Sequence, residues 1–303
     1  MRLMKNKISL RNFQRNYGTN ERCLEAIKKL RFPDGMPCPK CTKTSAFYPV
    51  TGRTSYACKL CGHHIYPLAG TIFEKSTTPL QYWFFAMYLM TQTRSGTSAK
   101  QLERMLGVTY KTAWRMFKQI RLLMDESGNG MLDGIVEIDE TYIGGKGSNR
   151  AYKWHGNEKQ KEILMGMLQR EGKAYLKHVP NTGKYTLIDQ IKTNVSPTAH
   201  VMTDELATYV NLPKLGYKHG AVNHGAKEYV KGNVHTQNIE GLWGGLKRGV
   251  YGVYRIVSKK YLQAYADEYA FRYNHRNEAS MMFDILLKQV ATVKVLKLAQ
   301  SNS

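Results

Sequence analysis

Three carboxylates and a lysine define the chemistry this chain could perform. Asp139 ends the alternating run Gly134-Ile135-Val136-Glu137-Ile138-Asp139, and Asp204 ends His200-Val201-Met202-Thr203-Asp204. Both read as acids at strand tips. Glu240 lies in His235-Thr236-Gln237-Asn238-Ile239-Glu240-Gly241-Leu242-Trp243, a segment that reads as a helix entering the same region. Such hard oxygen ligands suit divalent metal ions. A pair of these ions serves phosphodiester chemistry, one activating water or a 3′-hydroxyl and the other stabilising the leaving oxygen. Lys247 stands two helical turns beyond Glu240 with Gly244 between them, all on one face. A lysine there can hold a DNA phosphate as a point charge, and Arg248 and Lys227 are further candidates for backbone contacts. Each acid also has a plainer reading. Glu140 follows Asp139 and Glu205 follows Asp204, so either member of each pair could be the ligand. A strand-tip acid can be only a cap, and Glu240 can be a solvent-facing acid paired to a lysine. His224 and His235 read as structural hydrogen-bonding groups, and Trp243 as core rather than a base-stacking platform.

Cysteine supplies a second ligand set. Cys38-Pro39-Lys40-Cys41 and Cys58-Lys59-Leu60-Cys61 stand 16 residues apart. Paired CxxC turns at that separation read as a four-cysteine site for structural Zn2+, and Gly62 supplies a flexible residue after the second pair. A segment this small needs such a staple to fold. His63 and His64 read as surface side chains, and Cys23 as a small buried residue.

Around these residues the elements order themselves. Residues 1–35 read as a helical lead-in, with Glu21 to Leu30 helix-compatible; 36–66 as the zinc ribbon; 67–127 as a helical DNA-binding region; 128–134 as a Gly-rich linker. In the helical region, Leu102, Met105 and Leu106 give one short amphipathic helix, broken at Gly107-Val108. Thr109 caps a second, with Ala113, Phe117, Ile120 and Met124 on its apolar face. The opposite face presents Lys111, Thr112, Arg115, Lys118 and Gln119, a helix-turn-helix-like layout suited to DNA. An ordinary helical hairpin is the competing reading.

From residue 135 the pattern turns to strands: Ile135–Asp139, Ile163–Leu168, Ala174–Val179 and His200–Thr203, with a fifth near Gly220–Asn223. A helix over Thr186–Asn194 separates the third strand from the fourth, which favours parallel pairing across that crossover. If the first and fourth strands are neighbours, Asp139 and Asp204 come side by side. The expectation is an α/β, ribonuclease-H-like catalytic domain over 135–280, a mixed sheet with flanking helices. Helices are expected at Tyr261–Asn274 and Phe283–Leu298, with 281–303 as a C-terminal helix.

Lys and Arg outnumber Asp and Glu by 45 to 23, for a net charge of +22. The excess is shared: residues 1–133 hold 21 basic and 8 acidic side chains, and 134–303 hold 24 and 15. A polyanion contacted along the whole protein is the natural partner. The longest apolar run, Tyr82 to Met90, is far too short to span a bilayer. No secretory signal follows the basic start. A cytoplasmic protein is expected, nucleoid-associated in a bacterial host.

Several of these segments resemble the ISXO-like group of bacterial insertion-sequence transposases: Cys38-Pro39-Lys40-Cys41, Pro67-Leu68-Ala69-Gly70-Thr71-Ile72-Phe73-Glu74-Lys75-Ser76, Glu137 through Gly145, His235 through Gly241 with Lys247-Arg248-Gly249, and Phe271-Arg272-Tyr273-Asn274-His275-Arg276-Asn277. The resemblance runs over nearly the whole chain. It implies a zinc ribbon ahead of a DDE-type integrase domain. It further implies Mg2+-dependent cleavage and strand transfer at terminal inverted repeats, on double-stranded DNA, and bringing two such ends together calls for at least a dimer. It carries Asp139 and Asp204 over as the first two catalytic acids and Lys247 as the basic residue after the third. The third position is Glu240, with Asn238 as the alternative. A non-catalytic DNA-binding regulator and a ribonuclease-H-like nuclease that cuts without joining are the competing functions.

Overall fold

Ser9 and Thr19 each accept an amide hydrogen bond from three residues on, so α1 (Leu10–Tyr17) and α2 (Asn20–Arg31) begin at those hydroxyls. The computed structural model describes residues 8–33, 35–144, 161–204, 206–222 and 235–292. After α2 the chain makes a three-stranded antiparallel meander, β1 (Phe47–Pro49), β2 (Tyr56–Cys58) and β3 (His64–Ile65). Then comes α3 (Leu80–Gln92), whose apolar residues run almost all round, as befits a helix at a unit's centre. The helices α4 (Ala99–Leu106) and α5 (Tyr110–Leu122) meet at Gly107, which takes the left-handed φ of 65° that such a corner requires. Thr109 caps α5 through the Thr112 amide, as its position suggests.

The second unit holds a five-stranded sheet. The strands β4 (Ile135–Ile143), β5 (Glu162–Gln169) and β6 (Ala174–Val179) form an antiparallel meander. The crossover helix α6 (Lys184–Asn194) then carries the chain to β7 (His200–Thr203), which pairs parallel with β4; β8 (Lys218–Ala221) pairs parallel with β7. The order is β6-β5-β4-β7-β8, so the first and fourth strands of this sheet are neighbours. The fifth strand begins two residues earlier than expected, because an edge strand with half-exposed residues carries little apolar signal. Met165, Met167, Val136, Ile138 and Val201 pack on the α6 face. The other face is covered by α7 (Gln237–Gly249) and α8 (Leu262–Asn274), through Ile239, Trp243, Leu246, Ala266 and Tyr269 against Leu164, Leu168 and Leu176. In the Gly-rich stretch before β4, Leu132 is 1% exposed and bridges Val195, so that residue is part of the sheet's rim.

Packing groups the last helix, α9 (Met282–Thr292), with the first unit. Its Phe283 stands edge-on to Phe13 at 5.7 Å and lies 5.3 Å from Tyr17, closing that unit's aromatic core. Among the described residues no helix is long and apolar enough to cross a membrane.

Candidate active site and zinc centre

The face of β4 decides which of its acids meet α7. Side chains alternate along a strand, so Glu137, Asp139 and Thr141 point to the α7 side while Val136, Ile138 and Glu140 point to the α6 side. Glu140 accordingly takes a hydrogen bond from the buried Tyr209 hydroxyl on the far face. Register does the same for Asp204. Glu137 pairs with Met202 across the parallel β4–β7 ladder, so Asp204, just past the end of β7, comes to the same end of the sheet as Asp139. The Asp204 carboxylate also accepts from the Leu206 amide at 3.1 Å, which fixes the turn after β7.

Asp139 is held by Trp243, whose indole N–H donates to its Oδ2 at 2.9 Å. The large ring reaches that position because Gly166 is directly opposite Asp139 in the β4–β5 ladder. A Cβ on Gly166 would stand 2.6 Å from the Trp243 ring and 2.7 Å from Ile239. Trp243 is thus core, as expected, and also a polar support for the first acid. Glu240 lies one turn before Trp243 and Lys247 one turn after it, so the three line the same flank of α7. Glu240 is exposed, and its carboxylate accepts from the Thr236 hydroxyl at 3.2 Å. Burial, with repulsion from Asp204 and Glu240, pushes Asp139 up to about 6, against the N–H donors of Trp243 and Glu140. Burial also raises Glu140 to about 7, with Asp139 and Asp204 adding to the effect.

One residue that sequence reasoning passed over organises this site. Glu137 is fully buried, and its carboxylate accepts from the backbone amides of Asn238 at 3.0 Å and Ile239 at 3.1 Å. It replaces the missing side-chain cap of α7, where an anion is favoured by the unpaired amides and the helix dipole. Arg170 Nε donates to the same carboxylate at 2.7 Å, and an Arg170 terminal nitrogen donates to the His235 carbonyl at 3.0 Å. The Asn238 side-chain amide donates to Glu137 Oε1 at 2.8 Å, so Asn238 is engaged in anchoring the helix. The signal in the sequence was an acid flanked by Val136 and Ile138 in an inward-facing strand, since a buried charge demands a partner.

In the ribbon, the ligand sulfurs of Cys38, Cys41, Cys58 and Cys61 all lie within 4.8 Å of one another, and Cys38 and Cys61 are 3.7 Å apart. Tetrahedral zinc with Zn–S bonds of about 2.3 Å has S···S edges of about 3.8 Å, so the cluster fits the ion. Each CxxC turn closes with a left-handed residue, Gly62 at φ 68° and Thr42 at φ 57°. The amides of those two residues donate to the carbonyls of Cys58 and Cys38. Positive φ is unusual for a threonine. The sequence signals it only by its place after Cys41, where Gly62 follows Cys61. A hydrogen bond from Ser45, with the amides of Cys61 and Leu60, lowers Cys58 to about 6, and the Cys41 amide lowers Cys38. Cys23 is buried, its thiol raised to about 12 by burial.

Residues 18–64 match the transposase zinc-ribbon domain, and residues 131–274 match the ISXO2-like transposase domain. The chain thus carries a domain similar to those of ISXO2-like transposases behind a transposase-type zinc ribbon. A similar protein is described as belonging to the transposable element ISH50 of Halobacterium salinarum. It is 28% identical over 280 residues, covering 85% of this chain and 92% of that protein.

In this transposase-like chain the predicted DNA-facing residues of α5 divide into groups. Lys111 and Arg115 are exposed. Thr112 is tied to the Thr109 cap through amide and hydroxyl, and Lys118 lies over the Trp114 ring at 5.9 Å. Gln119 is half-buried. Ala113, Phe117, Ile120 and Met124 are all buried, as their spacing predicts. Arg248 is exposed and Lys247 half-buried on α7. Lys227, His224 and Glu205 lie outside the described residues.

Proposed function

We propose that the chain is a DNA transposase of ribonuclease-H-like catalytic fold that cleaves and joins strands at the terminal inverted repeats of an insertion sequence. What supports this reading is that Asp139 on β4, Asp204 just past the neighbouring β7 and Glu240 on the first turn of α7 come from three elements near enough for the charges of Asp204 and Glu240 to add to the rise that burial gives Asp139. Carboxylates brought to one end of the sheet from three elements suit a cation. The oxygen donor set fits Mg2+ (or Mn2+), which when bound supplies activation of the attacking oxygen and stabilisation of the leaving one. The protein's own part is positioning. Trp243 orients Asp139 by one carboxylate oxygen and leaves the other free of it. Glu137 pins the start of α7 and with it Glu240. Commitment of the Asn238 amide to Glu137 favours Glu240 over Asn238 as third acid. Lys247, on the same flank, holds the phosphate, while Lys111, Thr112, Arg115, Lys118, Gln119 and Arg248 serve the flanking DNA backbone and grooves. The antiparallel-parallel strand order supports the fold assignment. Two ends must be brought together for transfer, so the working form is a dimer or larger.

The test is cleavage and strand transfer on duplexes carrying the element's ends, with and without Mg2+, for the parent and Asp139→Ala. Metal-dependent joined product that disappears in the variant is expected. End binding without cleavage under any divalent ion would instead identify a regulator, and cutting without joining a nuclease.

A further inference from the structure

Beyond the acids, the chain from Gly241 to Ala266 carries no acidic residue, while Lys247, Arg248, Arg255, Lys259 and Lys260 all fall within it. This stretch is also irregular. The helix α7 passes into a single π-helical turn over Val250–Tyr254, a distortion frequent at functional positions. A γ-turn follows: the Ile256 amide donates to the Tyr254 carbonyl at 2.8 Å, with Arg255 at φ 68° and ψ −58°. That backbone state is rare and strained for a residue with a side chain.

The turn sorts its neighbours. Val250 is buried, and Tyr254 and Val257 pack against the α7–α8 core. The Tyr254 hydroxyl donates to Glu268 at 2.8 Å, and its ring meets Tyr265 at 4.6 Å. Between these anchors Ile256 is held out, 81% exposed, and Tyr251 is 47% exposed. One exposed apolar side chain is ordinary on a protein surface. Here it is displayed by a strained turn whose two sides are fastened to the core, amid exposed Arg248, Arg255 and Lys260. Only Lys259 among them meets an acid in the described structure, Glu162 at 3.2 Å.

We propose that residues 247–260 form a DNA grip: the cations hold phosphates of the duplex flanking the scissile bond, and Ile256 enters the base stack there. The inference rests on the transposase reading and deepens it. Cationic side chains set register on the backbone without reading sequence, and aliphatic wedges unstack base steps so that the duplex bends onto the protein. Such a wedge must be stiffly held and exposed before DNA arrives, and the anchored γ-turn meets both conditions.

The experiment uses the full-length protein and terminal-repeat duplexes with 2-aminopurine placed in turn at each step flanking the cleavage position, without divalent metal. The parent should brighten the probe at one or two adjacent steps. Ile256→Ser should abolish that rise while still binding, and Ile256→Leu should keep it. Arg255→Gln with Lys260→Gln should weaken binding and lower the slope of log affinity against log salt by about one for each phosphate no longer held. A parent that brightens no step, or an Ile256→Ser protein that brightens the probe as the parent does, overturns the grip. Asp139→Ala separates the two readings. If it still cleaves in Mg2+, the acid assignment falls and the fluorescence result stands on its own. If the parent does not bind the ends at all, both readings fall.

Discussion

In the ribbon, hydrogen-bond donors bring Cys58 down to about 6, whereas beside β4 burial and like charge bring Asp139 up to about 6. At Cys58 the negative charge is stabilised locally, by a serine hydroxyl and the amides of its own turn, while, against the His63 amide, the neighbouring thiols push Cys61 up to about 11. The second region carries a buried acid with other acids near it and is, in the proposed function, the place a cation would neutralise. The ribbon's ligands come from two turns of one small meander, and the acids come from two strands and a helix. A site that is permanently loaded can be self-contained. A site proposed to take up a metal and a phosphate is better assembled from elements that hold it open.

Removing zinc tests the ribbon side and should have the largest effect. Structural zinc contributes on the order of 10 kcal/mol to folding its domain, so Cys38→Ser or Cys58→Ser should unfold the meander and weaken DNA binding. The five-stranded sheet should remain. Zinc content by emission spectroscopy beside limited proteolysis reads both, and a zinc-free chain with a protease-resistant ribbon would refute the assignment. Glu137→Ala tests the other side. It removes the carboxylate that meets Arg170 and leaves α7 uncapped, so a loss of about 3–5 kcal/mol is expected in urea unfolding. A loss below about 1 kcal/mol would mean the cap is replaced by water.

The raised acids give a pH signature of known sign. Asp139 moves from an ordinary 3.8 to about 6, and Glu140 from 4.5 to about 7. Their contribution to stability is present below the ordinary values and is lost as pH rises through 6 to 7. Without metal, the parent should therefore lose melting temperature relative to Asp139→Asn as pH rises from about 4 to about 6, the window of Asp139 itself, and saturating Mg2+ should restore it. Parallel melting curves for the two proteins would refute the electrostatic account. The smallest effect belongs to α5: Lys111→Ala or Arg115→Ala should each lower the salt slope of DNA binding by about one. An unchanged slope would take that residue off the backbone.

The sequence makes some of this legible because some signals are local. Cysteine spacing reports the ribbon, since both ligands of a pair sit in one turn. The helix between β6 and β7 reports the parallel pairing, and with it the neighbourhood of Asp139 and Asp204. Glu137 stays hidden because its partners Arg170, Asn238 and Ile239 are far along the chain, and only the folded sheet presents the α7 amides to it. The choice between Asp139 and Glu140 needs the strand's facing, which pairing with β5 and β7 supplies. Phe283 joins Phe13 from the opposite end of the chain, a meeting that no periodicity in α9 foretells.

The slot at Gly166 makes positions 166 and 243 one shared volume. The space that glycine leaves is the space the indole fills, so neither residue can grow alone. Among related chains, size at one position should trade against size at the other. A chain with a bulkier residue at 166 must support its first acid by some group other than an indole.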